Sequence, residues 1–227
     1  MSLNNADLRP RMTRRAAQFL ERGEPLLVAG GPLTGKSTML RHLGAAMPGL
    51  LLYDDISPGA LPALIESGDG GWAASVDAMG LVALGDLPGV RVLPLVNLAP
   101  ADLRRACEGR ELDFRELFAW SAGHPYLVAH YPDRERRDVL RTRLGQALAV
   151  VPDAGATYAA LLGEGELAGA SLYRAARRRF GTGCKKRLDL LAVMGAITRF
   201  ISDERAALRL LFPEPALSSD VSPRSRP

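Results

Sequence analysis

The sequence predicts an α/β fold: a trimmed three-layer parallel sheet, followed by a small helical lid-like segment and a compact module of three helices and a hairpin. Three observations carry this. The apolar runs "LLVAG" at 26–30, "LLLYDD" at 50–55, "WAASV" at 72–76 and "VRVLPLVNL" at 90–98 alternate with helical stretches, the pattern of parallel strands joined by crossover helices. Strand signals then stop, and the chain to about residue 151 reads as helices. They return only in "AITRFIS" and "AALRLLF", either side of the turn "SDE".

Taken in order, residues 6–22 read as a basic helix that Gly23 and Pro25 terminate. "LLVAG" is a buried strand. After it, Met39, Leu40, Leu43 and Met47 recur at helical spacing until Pro48-Gly49. "LLLYDD" predicts a second buried strand ending in two aspartates, "PGALPALIESG" a short helix, "WAASV" a third strand and "VRVLPLVNL" a fourth. The segments "APADLRRACEG", "DFRELFAWSAG" and "PYLVAHY" predict short helices, and "DRERRDVLRTRLGQALAVV" a longer one with a solvated charged face. Helices near 154–163, 167–180 and 184–194 precede the hairpin, the pattern of a winged helix. The Pro- and Ser-rich tail has the composition of disorder. The expected units are an α/β domain over 1–99, a helical segment over 100–151, a winged helix over 152–213 and a tail over 214–227.

Composition excludes several classes. With 227 residues and 47% hydrophobic content the chain can bury a core without covalent staples. Its two cysteines, Cys107 and Cys184, form no metal-binding or disulfide pattern, which points to a reducing, cytoplasmic setting. No run of about 18 apolar residues and no signal peptide is evident, so a soluble protein is expected. Basic residues exceed acidic ones by 29 to 25, yet only Lys36, Lys185 and Lys186 are lysines. A lone lysine inside a glycine loop suggests a task for a compact point charge.

That loop is "GGPLTGKST", Gly30 to Thr38, and its spacing Gly30-x-x-x-x-Gly35-Lys36-Ser37 between a strand and a helix satisfies the P-loop pattern. Gly30, Gly31, Pro32, Leu33, Thr34 and Gly35 would wrap backbone N–H groups around phosphate oxygens at a helix N-terminus. Lys36 would reach the β- and γ-phosphates, Ser37 would coordinate Mg²⁺, and Thr38 would sit by the α-phosphate. At the end of "LLLYDD", Asp54 is the metal ligand candidate and Asp55 the group to orient or deprotonate an attacking water, with Lys36 as its catalytic partner. The alternative is that Asp54, Asp55 and Ser57 only cap the next helix. His42 and His130 have no partner at metal spacing and read as surface or packing residues.

These residues and the later segments together resemble the STAND class of AAA-like P-loop ATPases, signal-transduction ATPases that join a nucleotide domain to a helical lid and a winged helix. The resemblance spans about residues 9–212. "GGPLTGKST" is similar to the Walker A motif, "LLLYDD" to Walker B, "LVNLAPADLRRA" to the approach to the lid, and "SAGHPYLVAHY" to the lid's Gly-x-Pro motif. It implies that ATP or ADP binds with Mg²⁺ and that Gly123, His124 and Pro125 approach the base and sugar, although "GHPY" alone is equally a helix break. Three departures stand out. The strand and helix usual between Walker A and Walker B are missing. "AASVDAMG" keeps Ser75 but has Asp77 where an arginine sensor is common, which implies slow hydrolysis. The winged-helix segment "LDLLAVMGAITRF" has no histidine to meet a β-phosphate.

Around the third predicted helix of the C-terminal module, Arg174, Arg177, Arg178, Arg179, Lys185, Lys186 and Arg187 gather. Arg177, Arg178, Lys185, Lys186 and Arg187 are candidates for contact with DNA or an acidic partner, or form a solvated face; base-reading Asn and Gln are missing there. The leading expectation is a regulatory ATP/ADP switch in signalling or defence, acting through a protein effector or self-association. Its rivals are a DNA-binding AAA-like ATPase, similar in layout to origin-recognition or transposition-helper proteins, and a scaffold that nucleotide only stabilises. A small-molecule kinase lacks an arginine-rich lid here.

Overall fold

Parallel strands covered on both faces have no polar side, and the first strand follows that rule residue by residue. In a computed structural model, which describes residues 8–67, 71–84, 87–109, 111–151, 153–163, 170–202 and 205–212, the chain begins with α1 (Pro10–Glu21) and β1 (Leu26–Gly30). It continues through α2 (Lys36–Ala46), β2 (Leu51–Tyr53), α3 (Leu61–Glu66), β3 (Trp72–Asp77), α4 (Ala78–Leu84) and β4 (Arg91–Pro94). All of β1 is buried. Leu26 and Val28 pack with Ala16 and Leu20 of α1 and Met39, Leu40 and Leu43 of α2. Leu27 and Ala29 face the opposite layer, with Leu61, Trp72, Ala74 and Val76. The result is a four-stranded parallel sheet, order β2-β3-β1-β4, flanked by helices.

Two features depart from expectation. β2 is not buried: Leu51 is 44% exposed and Leu52 39%, because among the described residues β2 pairs with β3 alone and stands at the edge of the sheet. An uninterrupted apolar run predicts burial on both faces, but says nothing about whether the strand has a neighbour on each side. Helix α4 also lies in a stretch to which the sequence pattern assigns no element; Asp77 starts it by accepting a hydrogen bond from Gly80 N at 2.6 Å.

The next segment holds α5 (Pro100–Cys107), α6 (Phe114–Ser121), α7 (Pro125–Ala129) and α8 (Arg134–Val150). Their starts follow simple capping chemistry. Proline opens α5 and α7, while the Asp113 and Asp133 carboxylates accept from Glu116 N and Arg136 N. Leu98, Leu103, Leu117 and Val128 form a small core under these helices, with Leu8 against it.

The C-terminal region comprises α9 (Ala154–Leu162), α10 (Ala170–Phe180), α11 (Cys184–Val193) and an antiparallel hairpin of β5 (Ile197–Ser202) and β6 (Arg205–Leu210). Its core joins Leu140, Leu144 and Leu148 of α8 to Tyr158, Leu161, Leu172, Leu188 and Phe212. The Tyr158 hydroxyl donates to Phe212 O at 2.8 Å and accepts from Phe212 N, which ties the end of the hairpin to α9. No helix among the described residues is long and apolar enough to cross a membrane. The tail expected over 214–227 lies outside the described residues.

Candidate functional site

The sheet delivers its strand ends to one rim, and the residues singled out in the sequence converge there. Gly30 closes β1 where a Cβ would lie 2.5 Å from Thr34 Oγ1 and 3.3 Å from Leu95 Cβ, so only glycine fits. Beyond it the loop takes left-handed geometry at Leu33 (φ 57°) and Gly35 (φ 93°), alternation that turns successive N–H groups inward into an anion nest. Thr34 Oγ1 donates to Gly31 O at 2.9 Å. Lys36 Nζ donates to Gly30 O at 3.0 Å and Gly31 O at 3.1 Å. Burial pulls its ammonium below the usual lysine range, opposed by the carboxylates of Asp55, Asp77 and Asp54.

The turn after β2 stands across from the loop. Ser75, fully buried on β3, donates to Asp54 Oδ1 at 2.6 Å and accepts from Asp55 N at 2.8 Å. One hydroxyl thus fixes both aspartates, and Asp55 holds a left-handed φ of 54°. Partial burial pushes the Asp54 carboxyl up, but hydrogen bonds from Ser75 and Ser37, the charge of Lys36 and the Asp55 backbone outweigh it. Asp54 therefore titrates below the ordinary aspartate range. Ser37 and Asp54, chosen from the sequence as metal ligands, lie together.

A cavity of about 300 Å³ opens beside the loop. On one side it is lined by Leu33 to Met39 and His42, on the other by Pro125, Tyr126, Ala129 and His130, with Leu8 and Arg9 between. His42 and His130, read as surface or packing residues, thus stand in the cavity wall; Tyr126 and His130 meet edge to face at 4.6 Å. Arg9 gave no signal in the sequence, where it is one of many arginines ahead of a helix. In the structure it is 8% exposed, and its Nη1 donates to Thr34 O at 2.9 Å while Nη2 donates to Val96 O. It therefore fastens the glycine loop to the end of the sheet.

The sequence matches no protein-family model, and no curated protein is similar enough to count as a relative.

His124 does not line the cavity. It is wholly buried beneath it, where a Cβ on Gly195 would come within 3.1 Å of its ring. Burial, and secondarily the charge of Arg9, lowers its pKa to about 3, against weak support from the Pro32 carbonyl. The imidazole is neutral at pH 7. Because the folded value lies below the unfolded 6.5, the unfolded chain binds the extra proton between those limits, and stability falls as pH drops through that window. At pH 4.5 the cost is roughly 3 kcal/mol. Melting curves at pH 7 and 4.5 should show the loss, and His124→Asn should flatten it; equal acid sensitivity in both proteins would count against this assignment.

Gly31 makes the remaining contact. Its N–H donates to Val193 O, the last residue of α11, at 2.8 Å, and a Cβ there would fall 2.1 Å from Met194 O. Nearby, Asn97 Nδ2 donates to Gly195 O, Ile197 O and Thr198 Oγ1, and the Thr198 hydroxyl in turn donates to Ala122 O. The strand rim, the α6–α7 turn and the C-terminal region meet at this junction. Asn97 and Thr198 were not foreseen. Gly123 joins the same seam through its carbonyl, which accepts from Leu98 N at 2.8 Å.

Of the basic residues, Arg177, Arg178, Lys185 and Lys186 are exposed. Arg187 is different: it pairs with Asp153 at 3.3 Å, donates to Thr157 Oγ1 at 3.0 Å and lies over the Phe180 ring. These contacts tie α11 to α9.

Proposed function

We propose that the chain is an ATP- or ADP-binding regulatory switch of the STAND kind, in which residues 100–151 act as a lid and the three helices with their hairpin as a winged helix. The observation that carries this reading is the cavity whose walls are Gly35–Thr38 on one side and Pro125, Tyr126, Ala129 and His130 on the other. A nucleotide whose phosphates occupy the loop would place its sugar and base against α7, so that one ligand is sensed by two segments.

The residues fit such a ligand. The nest geometry at Leu33 and Gly35 presents N–H groups to phosphate, and Lys36 needs only to exchange the carbonyls of Gly30 and Gly31 for phosphate oxygens. Ser37 and Asp54 would hold Mg²⁺, which when bound offsets phosphate charge. Asp55, held by Ser75, would orient the attacking water. Ser75 is committed to the aspartate turn, and Asp77 starts α4; neither supplies a cation to a developing charge, so hydrolysis should be slow. Binding would then bias the junction at Gly31, Val193 and Gly195, and with it the position of the C-terminal region.

The test is to purify the protein gently, denature it and identify any released nucleotide. Near-stoichiometric ADP is the expected result. A protein that carries none, and that binds neither ADP nor ATP when they are added with Mg²⁺, would overturn the switch. Bound nucleotide with no turnover and no change in proteolytic sensitivity between ADP and ATP would mark a scaffold instead.

A further inference from the structure

We infer that the corner between α10 and α11 binds the phosphate backbone of double-stranded nucleic acid without reading its sequence, and that α11 links this contact to the glycine loop. Along other helices some cations sit beside a carboxylate one turn away, as Arg105 does with Asp102, Arg136 with Asp133 and Arg141 with Asp138. At this corner residues 174–186 hold six cations and no carboxylate. Arg174, Arg177, Arg178 and Arg179 of α10 and Lys185 and Lys186 of α11 are all exposed. Arg174, Arg177, Arg179, Lys185 and Lys186 make no ion pair with a described carboxylate. Arg174, Arg177 and Arg178 share one face of α10 by their spacing, and the short turn Gly181–Gly183 brings the last turn of α10 against the first of α11.

A second observation points to an anion. Cations are disfavoured in the first turn of a helix, where the backbone dipole is already positive. α11 nevertheless begins Cys-Lys-Lys-Arg, with no acidic residue in its first turn and no side-chain cap. Its leading N–H groups and the two ammoniums therefore carry charge of the same sign, an arrangement that a phosphate relieves.

The chemistry selects the partner. Forked guanidiniums match phosphate oxygens. The segment 170–195 contains no Asn or Gln to read base edges. The exposed turn Gly181–Gly183 offers no apolar side chain to insert into a bilayer, whereas membrane-surface helices combine basic residues with such anchors.

The link to the loop is mechanical. α11 is ten residues long, about 15 Å. Lys185 and Lys186 stand at one end, and at the other Val193 O accepts the Gly31 N–H. Any ligand that moves one end loads the other, and the coupling is reciprocal. The link rests on the nucleotide reading proposed for the loop; the phosphate contact does not.

The experiment is fluorescence anisotropy of a labelled 24-base-pair duplex of arbitrary sequence, titrated with the full chain, first without nucleotide. If five cations reach phosphates, affinity should fall roughly 500-fold between 50 and 200 mM salt, and only about tenfold in the triple variant Arg177→Ala, Lys185→Ala, Lys186→Ala. A second, unrelated duplex should bind equally. Absence of duplex binding, an unchanged salt slope in the triple variant, or equal affinity for polyglutamate or for vesicles rich in phosphatidylserine would overturn the assignment. Adding ADP or ATP with Mg²⁺ then tests the link: a change in duplex affinity that Lys36→Ala removes is expected. Duplex binding unaffected by a nucleotide shown separately to bind would overturn the link and leave the phosphate contact standing.

Discussion

Gly31→Ala is expected to pry the C-terminal region off the glycine loop. The new methyl would fall 2.1 Å from Met194 O, 2.6 Å from Met194 C and 2.7 Å from Met194 Cα, all backbone atoms that cannot rotate aside. Relief requires the turn after α11 to retreat by about an ångström or more, which also lengthens the Gly31 N–H to Val193 O bond. Overpacking against backbone together with the loss of that bond costs roughly 2–4 kcal/mol, and the melting temperature should drop by roughly 5–15 °C. The same retreat uncovers His124, whose burial depends on Gly195. Its pKa should climb back towards the ordinary histidine value, visible as an NMR titration near pH 6. A variant that melts within a degree of the parent, with His124 still untitrated above pH 5, would disprove the docking described for this glycine.

Lys36→Ala should have the largest effect on ligand binding. A charge-assisted hydrogen bond contributes about 1.5–3 kcal/mol, and Lys36 is the one lysine in the loop, so ADP affinity should fall by about a hundredfold. Without nucleotide the effect on stability should stay within about 1 kcal/mol. Two carbonyls lose a donor, but a cation that burial already disfavours is removed with it. Lys36→Arg should not restore affinity, since a planar fork does not fit a cradle built around a point charge. Calorimetry with ADP and Mg²⁺ separates the cases. Wild-type affinity in a folded Lys36→Ala protein would remove the loop from the account of function.

Why some of this was legible in the sequence and some was not has physical causes. Local chemistry is written locally: β1 occupies Leu26–Gly30 and α2 begins at Lys36, as the glycine spacing and the apolar period require. The order of three helices and a hairpin was equally readable, because each element carries its own period and breaks. What failed was information about neighbours. The leucines of β2 look the same whether a strand stands outside them or not, and Arg9 looks like any arginine until Thr34 O and Val96 O are seen to hold it. His124 likewise carries no mark of depth. The junction of Asn97, Thr198 and Ala122 joins positions 76 and about 100 residues apart, and no single-sequence pattern spans that distance.

The edge of β2, which no other described strand covers, has a consequence for solubility. An uncovered strand with exposed leucines is a template for pairing with other chains, and such edges are commonly guarded by charge. Here the strand is three residues long, and Asp54 and Asp55 stand directly after it. The pair stands where a charged guard of such an edge is expected, whatever it does towards a metal or a water. Replacing both by asparagine, the usual way to silence such a site, would also strip the guard from the sheet, so the silenced protein would be the one most prone to aggregate.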